Sequence, residues 1–361
     1  MLSAIIVTIG ISLLILLHEL GHFIAAKKAG LRVDEFGFGF PPRMFSWTPK
    51  RWVKDGETLR QAQGETTYSF NWLPFGGFVR IYGESKEQIN KEKLEGKEVD
   101  TSRSFAHQSA LRRSVIILAG IVTNFVLGWF ILSAVFMIGA AESVVVTQVA
   151  PNSPAAVAGF MPGDELVGYV HAEDFTLFTS EHRGQETEFT VLRNGEQLTI
   201  AATPRPDPKP GEGALGVGLS QAGFPKLPFF EALGQGFTTS FSVMWEIVKT
   251  FGKMFSSLFA HAQLLEGVVG PVGIFSVASD LGSIGFVYIL QLIGLISLNL
   301  AVLNAMPFPA LDGGRFLFIL IEKIKGSPIS PKKEMVFNLA GFGILLVMML
   351  AITARDIIRL F

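Results

Sequence analysis

Residues 1–28 read MLSAIIVTIGISLLILLHELGHFIAAKK. The apolar run continues straight into His18-Glu19-Leu20-Gly21-His22. It has no basic segment ahead of it and no small-residue cleavage site behind it, so it reads as a retained membrane span rather than a removable leader. Histidines four residues apart share one helix face, so both imidazoles can reach one ion with Glu19 beside them. Ionisable side chains within a spanning helix are costly and usually functional. The plainer reading is a polar cluster at a helix end, snorkelling to the interface near Lys27 and Lys28. The helix ahead of His18 is roughly 25 Å long at 1.5 Å per residue, which sets the ion in the inner part of the bilayer, near the cytoplasmic surface.

Composition agrees with a membrane chain. Of 361 residues, 49 % are hydrophobic and only 17 % charged, and mean hydropathy is +0.42. Net charge is −1, so nothing points to a nucleic-acid partner. Cysteine is absent, which excludes disulfides and thiolate metal sites and leaves His, Asp, Glu or water as ligands.

Four segments are long and apolar enough to cross ~30 Å of hydrocarbon: about 2–26, 114–140, 284–306 and 336–354. Lys and Arg crowd residues 27–113, with 16 of the 30, and 312–335, with five; 141–283 holds seven. Basic loops face the cytoplasm, so both termini and 141–283 are expected outside. Within that stretch, 143–204 reads as a small domain: strand-like ESVVVTQV, a turn-helix-turn PNSPAAVAGFMPGDELV, and a hairpin around Asn194-Gly195. TPRPDPKPGEG reads as a linker. Two readings are open for 229–259, whose apolar residues recur every three or four positions: a helix lying on a membrane face, or a fifth span.

Zinc suits the histidine pair: two nitrogens, a third protein ligand and an open position for water, whose pKa falls to roughly 7. Glu19 would take the proton from that water as it attacks a carbonyl and hand it to the leaving amine. For the third ligand, His107, His171, His182 and His261 fall in loops or outside, while Asp312 stands out. It follows Asn304-Ala-Met-Pro307-Phe-Pro309-Ala-Leu, where two prolines must break the helix. Unwound backbone at membrane depth is tolerated where it lines a cavity or is buried in protein. The charge rule brings Asp312 to the same depth as the histidines, whereas a fifth span would carry it to the opposite leaflet. The plainer reading is a helix-capping Asp beside a Gly-Gly turn.

HELGH together with NAMPFPALDGG closely resembles the site-2 protease family of intramembrane zinc metalloproteases, and within it the bacterial regulator-of-sigma-E type. Gly37-Phe38-Gly39, the segment Leu73 to Glu84, Leu118 to Phe125 (with Ile121 where the family usually has proline) and Gly270-Pro-Val-Gly273 are similar to further family motifs. Ala150-Pro-Asn-Ser-Pro154, Ala158-Gly159 and Pro162-Gly163-Asp164 resemble its PDZ domain. The resemblance implies that His18, His22 and Asp312 bind zinc, that Glu19 is the catalytic base and that Asn304 holds substrate backbone, a role extended here to Asn299. Many relatives carry two tandem PDZ domains, and one fits here. Its middle, Val167 to Arg183, is short and expected to keep little of the usual helix.

A helical substrate must be drawn into extended form before it is cut. Thr67–Tyr82, with strand-forming Tyr68, Phe70, Trp72, Phe78 and Ile81 around Pro74, Gly76 and Gly77, predicts a membrane-dipping hairpin whose edge takes the substrate as an added strand. Phe75, Gly76 and Gly77 are therefore expected to contact substrate, although an aromatic interfacial anchor is the simpler role. The expectation is an α-helical multi-span membrane protein with four transmembrane helices, a membrane-associated β-hairpin and one extracytoplasmic PDZ-like α/β domain. Its parts would be 1–140 (two spans, HExxH and cytoplasmic loop), 141–204 (PDZ-like), 205–283 (linker and amphipathic helix) and 284–361 (two spans and the LDG motif). It would be a zinc endopeptidase of a bacterial inner membrane, with Zn2+ as sole cofactor. Its partners would be the lipid bilayer and the transmembrane helices of single-span proteins such as anti-sigma factors or remnant signal peptides. The alternative is a membrane metal transporter or sensor using the same ligands.

Overall fold

The computed structural model describes residues 2–55, 58–63, 66–84, 101–193, 195–208, 213–261, 270–327 and 329–360, of which 51–55, 58–63, 74–75, 255, 257–261, 283–284, 331 and 359–360 are described by backbone alone. Helix α1 (Leu2–Lys28) leads into strands β1 (Val33–Trp47), β2 (Lys50–Asp55), β3 (Thr58–Gln63) and β4 (Thr67–Ile81), then helix α2 (Ala110–Ile138). Next come β5 (Ala140–Val149), α3 (Pro154–Ala158), β6 (Glu165–Leu166), α4 (Ala172–Glu181), β7 (Thr187–Arg193), β8 (Glu196–Ala202) and β9 (Val217–Phe224). Helices α5 (Phe229–His261), α6 (Pro271–Ile284), α7 (Phe286–Ala305), α8 (Asp312–Lys325) and α9 (Pro331–Leu360) complete the chain. Among the described residues, four helices are long and apolar enough to cross a membrane: α1, α2, α7 and Lys332–Ile358 of α9. The segment left open at 229–259 is one helix, α5, and is not among the four.

Two compact units divide the chain, one of Met1–Leu132, Gly236–Ala278 and Gln291–Phe361, the other of Ser133–Gln235 and Ser279–Leu290. In the first, α1 satisfies its backbone internally, as a helix in lipid must. It ends in a left-handed turn at Gly30 (φ 80°). Gly30 N donates to Lys27 O at 3.0 Å and Leu31 N to Ala26 O at 3.0 Å, the paired bonds of a Schellman stop. Leu31 and Ala26 then pack together with Val33, Ile81 and Ile116.

Small residues let the helices approach closely, since apolar side chains gain little from leaving lipid. A Cβ on Gly21 would lie 2.8 Å from Ala119 O, one on Gly128 2.6 Å from Leu298 Cδ2, and one on Gly294 3.1 Å from Ile131 Cγ2.

The two arms of the segment expected to form a membrane-dipping hairpin are separated by β1. Residues 67–70 and 77–80 of β4 lie on opposite sides of residues 35–38 of β1, with Glu35 opposite both Thr67 and Arg80, and Phe38 opposite both Phe70 and Gly77. The second half of β1 returns along the outer side of the 67–71 arm, from Arg43↔Asn71 to Trp47↔Tyr68. An isolated two-arm hairpin is marginal, and inserting β1 occupies both inner edges. Buried Glu35 ties the returning half of β1 to the 77–81 arm through Arg43, at 2.5 Å, and Arg80, at 3.3 Å. Phe40, Phe45, Trp47 and Trp72 remain exposed on this sheet.

The second unit carries a five-stranded antiparallel sheet in the order β8-β7-β6-β5-β9 around Val144, Val146, Phe160, Leu166, Phe175, Phe189, Val191 and Leu215. Strands β7 and β8 form the hairpin expected around Gly195, closing at Arg193↔Glu196. Two local expectations are corrected. The stretch from Val167 to Arg183 keeps a helix, α4, because Phe175 and Thr179, one turn apart, are buried beneath it. The sheet also gains β9 beyond the Pro-rich 203–213, antiparallel to β5 from Val149↔Val217 to Ala140↔Phe224. The alternation of β9 is diluted by Gly218 and Gly223, which hid it from a pattern reading.

Candidate metal centre

His18 and His22 project from one face of α1, and both are buried, each 7 % exposed. Asp312, the first residue of α8, reaches them from the far end of the chain. The Nε2 atoms of the two histidines are 3.2 Å apart, and Asp312 Oδ2 lies 3.1 Å from each. Ligands held 2.0–2.1 Å from a tetrahedral zinc stand roughly 3.3 Å apart, so this spacing fits one ion with a fourth position to spare. Among the described residues this is the one group of three or more His, Asp and Glu side chains able to hold a metal ion together.

The route to Asp312 is set by the sequence ahead of it. Helix α7 stops at Ala305, before Pro307 and Pro309, and Ala310 takes a left-handed conformation (φ 72°) rarely adopted by residues with a Cβ. Asn338 Oδ1 of α9 accepts the Ala310 N–H at 3.2 Å. Gly313 and Gly314 let the first turn of α8 fold back on this break. A Cβ on Gly313 would meet Met306 O, and one on Gly314 would meet Phe308 O. Ion pairs then fix α8: Arg315 to Glu84 at 2.6 Å and Arg113 to Glu322 at 2.8 Å.

Helix α2 forms the back wall. A Cβ on Gly120 would collide with His22 Nε2 and His18 Cε1, so only glycine allows the histidines this position. His22 Nδ1 donates to Ile116 O at 2.8 Å, and His18 Nδ1 lies 3.2 Å from the Asn124 amide. Glu19 is half-buried beside the pair, and its Oε2 accepts the Val79 N–H at 3.1 Å from the outer arm of β4. Gly77 passes close by, where a Cβ would lie 3.6 Å from Glu19 Cγ, whereas one on Gly76 would meet the Phe40 ring. The Phe75 side chain falls outside the described residues. Asn304 is half-buried in the last turn of α7, while Asn299 is exposed, and the metal-ligand group includes neither.

The supporting contacts were not legible beforehand. Asn124 and Glu84 are visible in the sequence only as parts of motifs, Arg315 only as a loop charge, and the Ile116 carbonyl not at all, since a backbone acceptor leaves no residue-type signal. The spacing of Ile116, Gly120 and Asn124 at every fourth position was the available clue.

The profile described as Peptidase family M50 matches residues 6–348. A candidate zinc metalloprotease of Clostridium perfringens is 33 % identical over 352 residues, covering 96 % of each chain. Zinc metalloprotease RasP of Oceanobacillus iheyensis is 28 % identical over 428 residues, 96 % of this chain and 97 % of that one. RasP of Shouchella clausii is 29 % identical over 428 residues, 97 % of each.

Proposed function

The chain belongs to peptidase family M50, and from that premise we propose that His18, His22 and Asp312 hold its zinc and that Glu19 is its general base. The protein is a multi-pass, site-2-protease-type intramembrane zinc metalloprotease. The observation that carries the residue assignment is the convergence of three ligand atoms at 3.1–3.2 Å from positions 18, 22 and 312.

Zinc supplies Lewis acidity at such a centre, drawing down the pKa of water and polarising a carbonyl oxygen. Glu19 accepts the proton of the attacking water and delivers it to the leaving amine. Val79 N–H orients the Glu19 carboxylate, and Gly120 leaves room for both imidazoles. The substrate segment pairs with the outer edge of the 77–81 arm, which runs past Glu19, and its amides are thereby held extended beside the base. Gly77 keeps that edge free of a side chain next to Glu19, and Gly76 contacts substrate farther along the arm. Asn304, in the last turn before the break, holds substrate backbone, and Asn299 and Phe75 contribute farther from the metal.

Substrates are the transmembrane segments of single-span proteins, trimmed beforehand by another protease, with release of a membrane-bound regulator or clearance of remnant signal peptides as the outcome. The protein resides in the inner membrane with both termini outside and the metal centre near the cytoplasmic side. This follows from the Lys and Arg crowding at 27–113 and 312–335. The five-stranded domain is PDZ-like and filters substrates by the size of their ectodomains, and the exposed aromatics of the β1/β4 sheet seat it in lipid.

Co-expression with a tagged single-span substrate tests the assignment. Glu19→Gln should lower cleavage by about 10²–10⁴-fold with zinc retained. A carrier or sensor has no need of a base that is not a ligand. Uptake of metal by cells that survives Glu19→Gln while cleavage is absent even in wild type would favour transport instead.

A further inference from the structure

We propose that Asn124 is a positioning residue for the metal centre, its side-chain amide holding His18 in the tautomer that leaves Nε2 free for zinc. The proposal rests on the assignment of His18, His22 and Asp312 as ligands. An imidazole that offers Nε2 to a metal carries its proton on Nδ1, and that proton needs an acceptor. His22 has one in the carbonyl of Ile116, 2.8 Å from its Nδ1. Among the described residues, no carbonyl accepts from His18 Nδ1. One helical turn beyond Gly120, the Asn124 amide lies 3.2 Å from His18 Nδ1.

Asn124 is wholly buried, at 0 % exposure. In the orientation drawn, its Nδ2 faces His18 and its Oδ1 is buried without a hydrogen-bond partner. An amide nitrogen cannot accept a proton from Nδ1–H; only the oxygen can. A half-turn about the Cβ–Cγ bond exchanges the two ends without changing the shape of the side chain. It gives the orphaned oxygen a donor and locks His18 with Nε2 toward Asp312. Asparagine can therefore meet His18 in either protonation pattern, but only its oxygen end is compatible with metal on Nε2. Ser297 of α7 fixes this turn of α2, its Oγ donating to the Asn124 carbonyl at 2.7 Å. Ile116, Gly120 and Asn124 thus form one stripe of α2 with three tasks: an acceptor for His22, clearance for both rings and an acceptor for His18.

The test is zinc affinity of the full-length protein in detergent, measured by competition with a chelator. Asn124→Leu, of similar size but without an acceptor, should bind zinc about 10–100-fold more weakly. Asn124→Asp, which always accepts from Nδ1–H, should bind at least as tightly as wild type. Melting of the metal-free Leu variant should match metal-free wild type, which a merely structural role would not allow. If Asn124→Leu does not fold, the smaller Asn124→Ala carries the same expectation of weakened binding. Zinc affinity unchanged in the folded Leu or Ala variant, or an Asp variant weaker than either, overturns the proposal. Asp312→Ala is the control: if it binds zinc as wild type does, the ligand assignment itself has failed, independently of Asn124.

Discussion

Two carboxylates, one in each unit, show how differently this chain uses the same group. Asp164, in the β-domain, is 0 % exposed and satisfied by its surroundings. Arg193 Nε donates to its Oδ1 at 2.6 Å, Arg193 Nη2 to its Oδ2 at 2.7 Å, and Met161 N to Oδ2 at 2.8 Å. Charge and hydrogen-bonding capacity are matched within the domain, so the group is structural. Asp312 is half-buried, its side chain 14 % exposed, and its nearest partners are two imidazoles, which are neutral unless protonated. A carboxylate largely withdrawn from water beside two imidazole nitrogens at ligand spacing suits a cation shared by all three. Burial alone does not separate the two roles; the identity of the partners does.

Substitutions at each site break the comparison in opposite directions. The largest effect is expected at Asp312: Asp312→Ala should abolish zinc retention and cleavage together while leaving the β-domain intact, checked by metal analysis and the co-expression assay. Arg193→Ala should do the reverse. Leaving Asp164 buried without its cation should destabilise the domain by about 3–5 kcal/mol, seen as early proteolysis within 140–224, with zinc content unchanged. Gly120→Ala should weaken zinc binding without touching a ligand, because the added methyl group occupies the space of His22 Nε2 and His18 Cε1. A variant with normal zinc affinity would mean that α2 can yield there. The smallest effect is expected at Asn338→Ala, which removes one hydrogen bond from the break before Asp312. The loss is about 1 kcal/mol, visible as a modest rise in the chelator sensitivity of the zinc.

The parts legible in the sequence were those written in local spacing or bulk hydropathy. His18 and His22 declare themselves by an interval of four, and the four long apolar helices by their length. Asp312 was reachable because the prolines at 307 and 309 forecast a break at the same depth as the histidines. What stayed hidden depends on partners far away in the chain. The arms of β4 looked like a hairpin because nothing within 67–82 says that β1 will lie between them. Strand β9 was missed because its glycines blur the alternation and because 203–213 reads as a linker. The roles of Ile116 and Asn124 emerge only when α2 is laid against α1, a contact that Gly21 and Gly120 permit but do not announce.

The central claim is that two imidazoles from α1 and one carboxylate from α8 share a single zinc. X-ray absorption at the zinc edge on the purified full-length protein tests it most directly. The account predicts one zinc per chain in a shell of nitrogen and oxygen at about 2.0–2.2 Å, with two imidazole ligands resolved, and loss of that zinc in Asp312→Ala. A zinc retained in Asp312→Ala with an unaltered shell, or a wild-type shell lacking the imidazole pair, would contradict it.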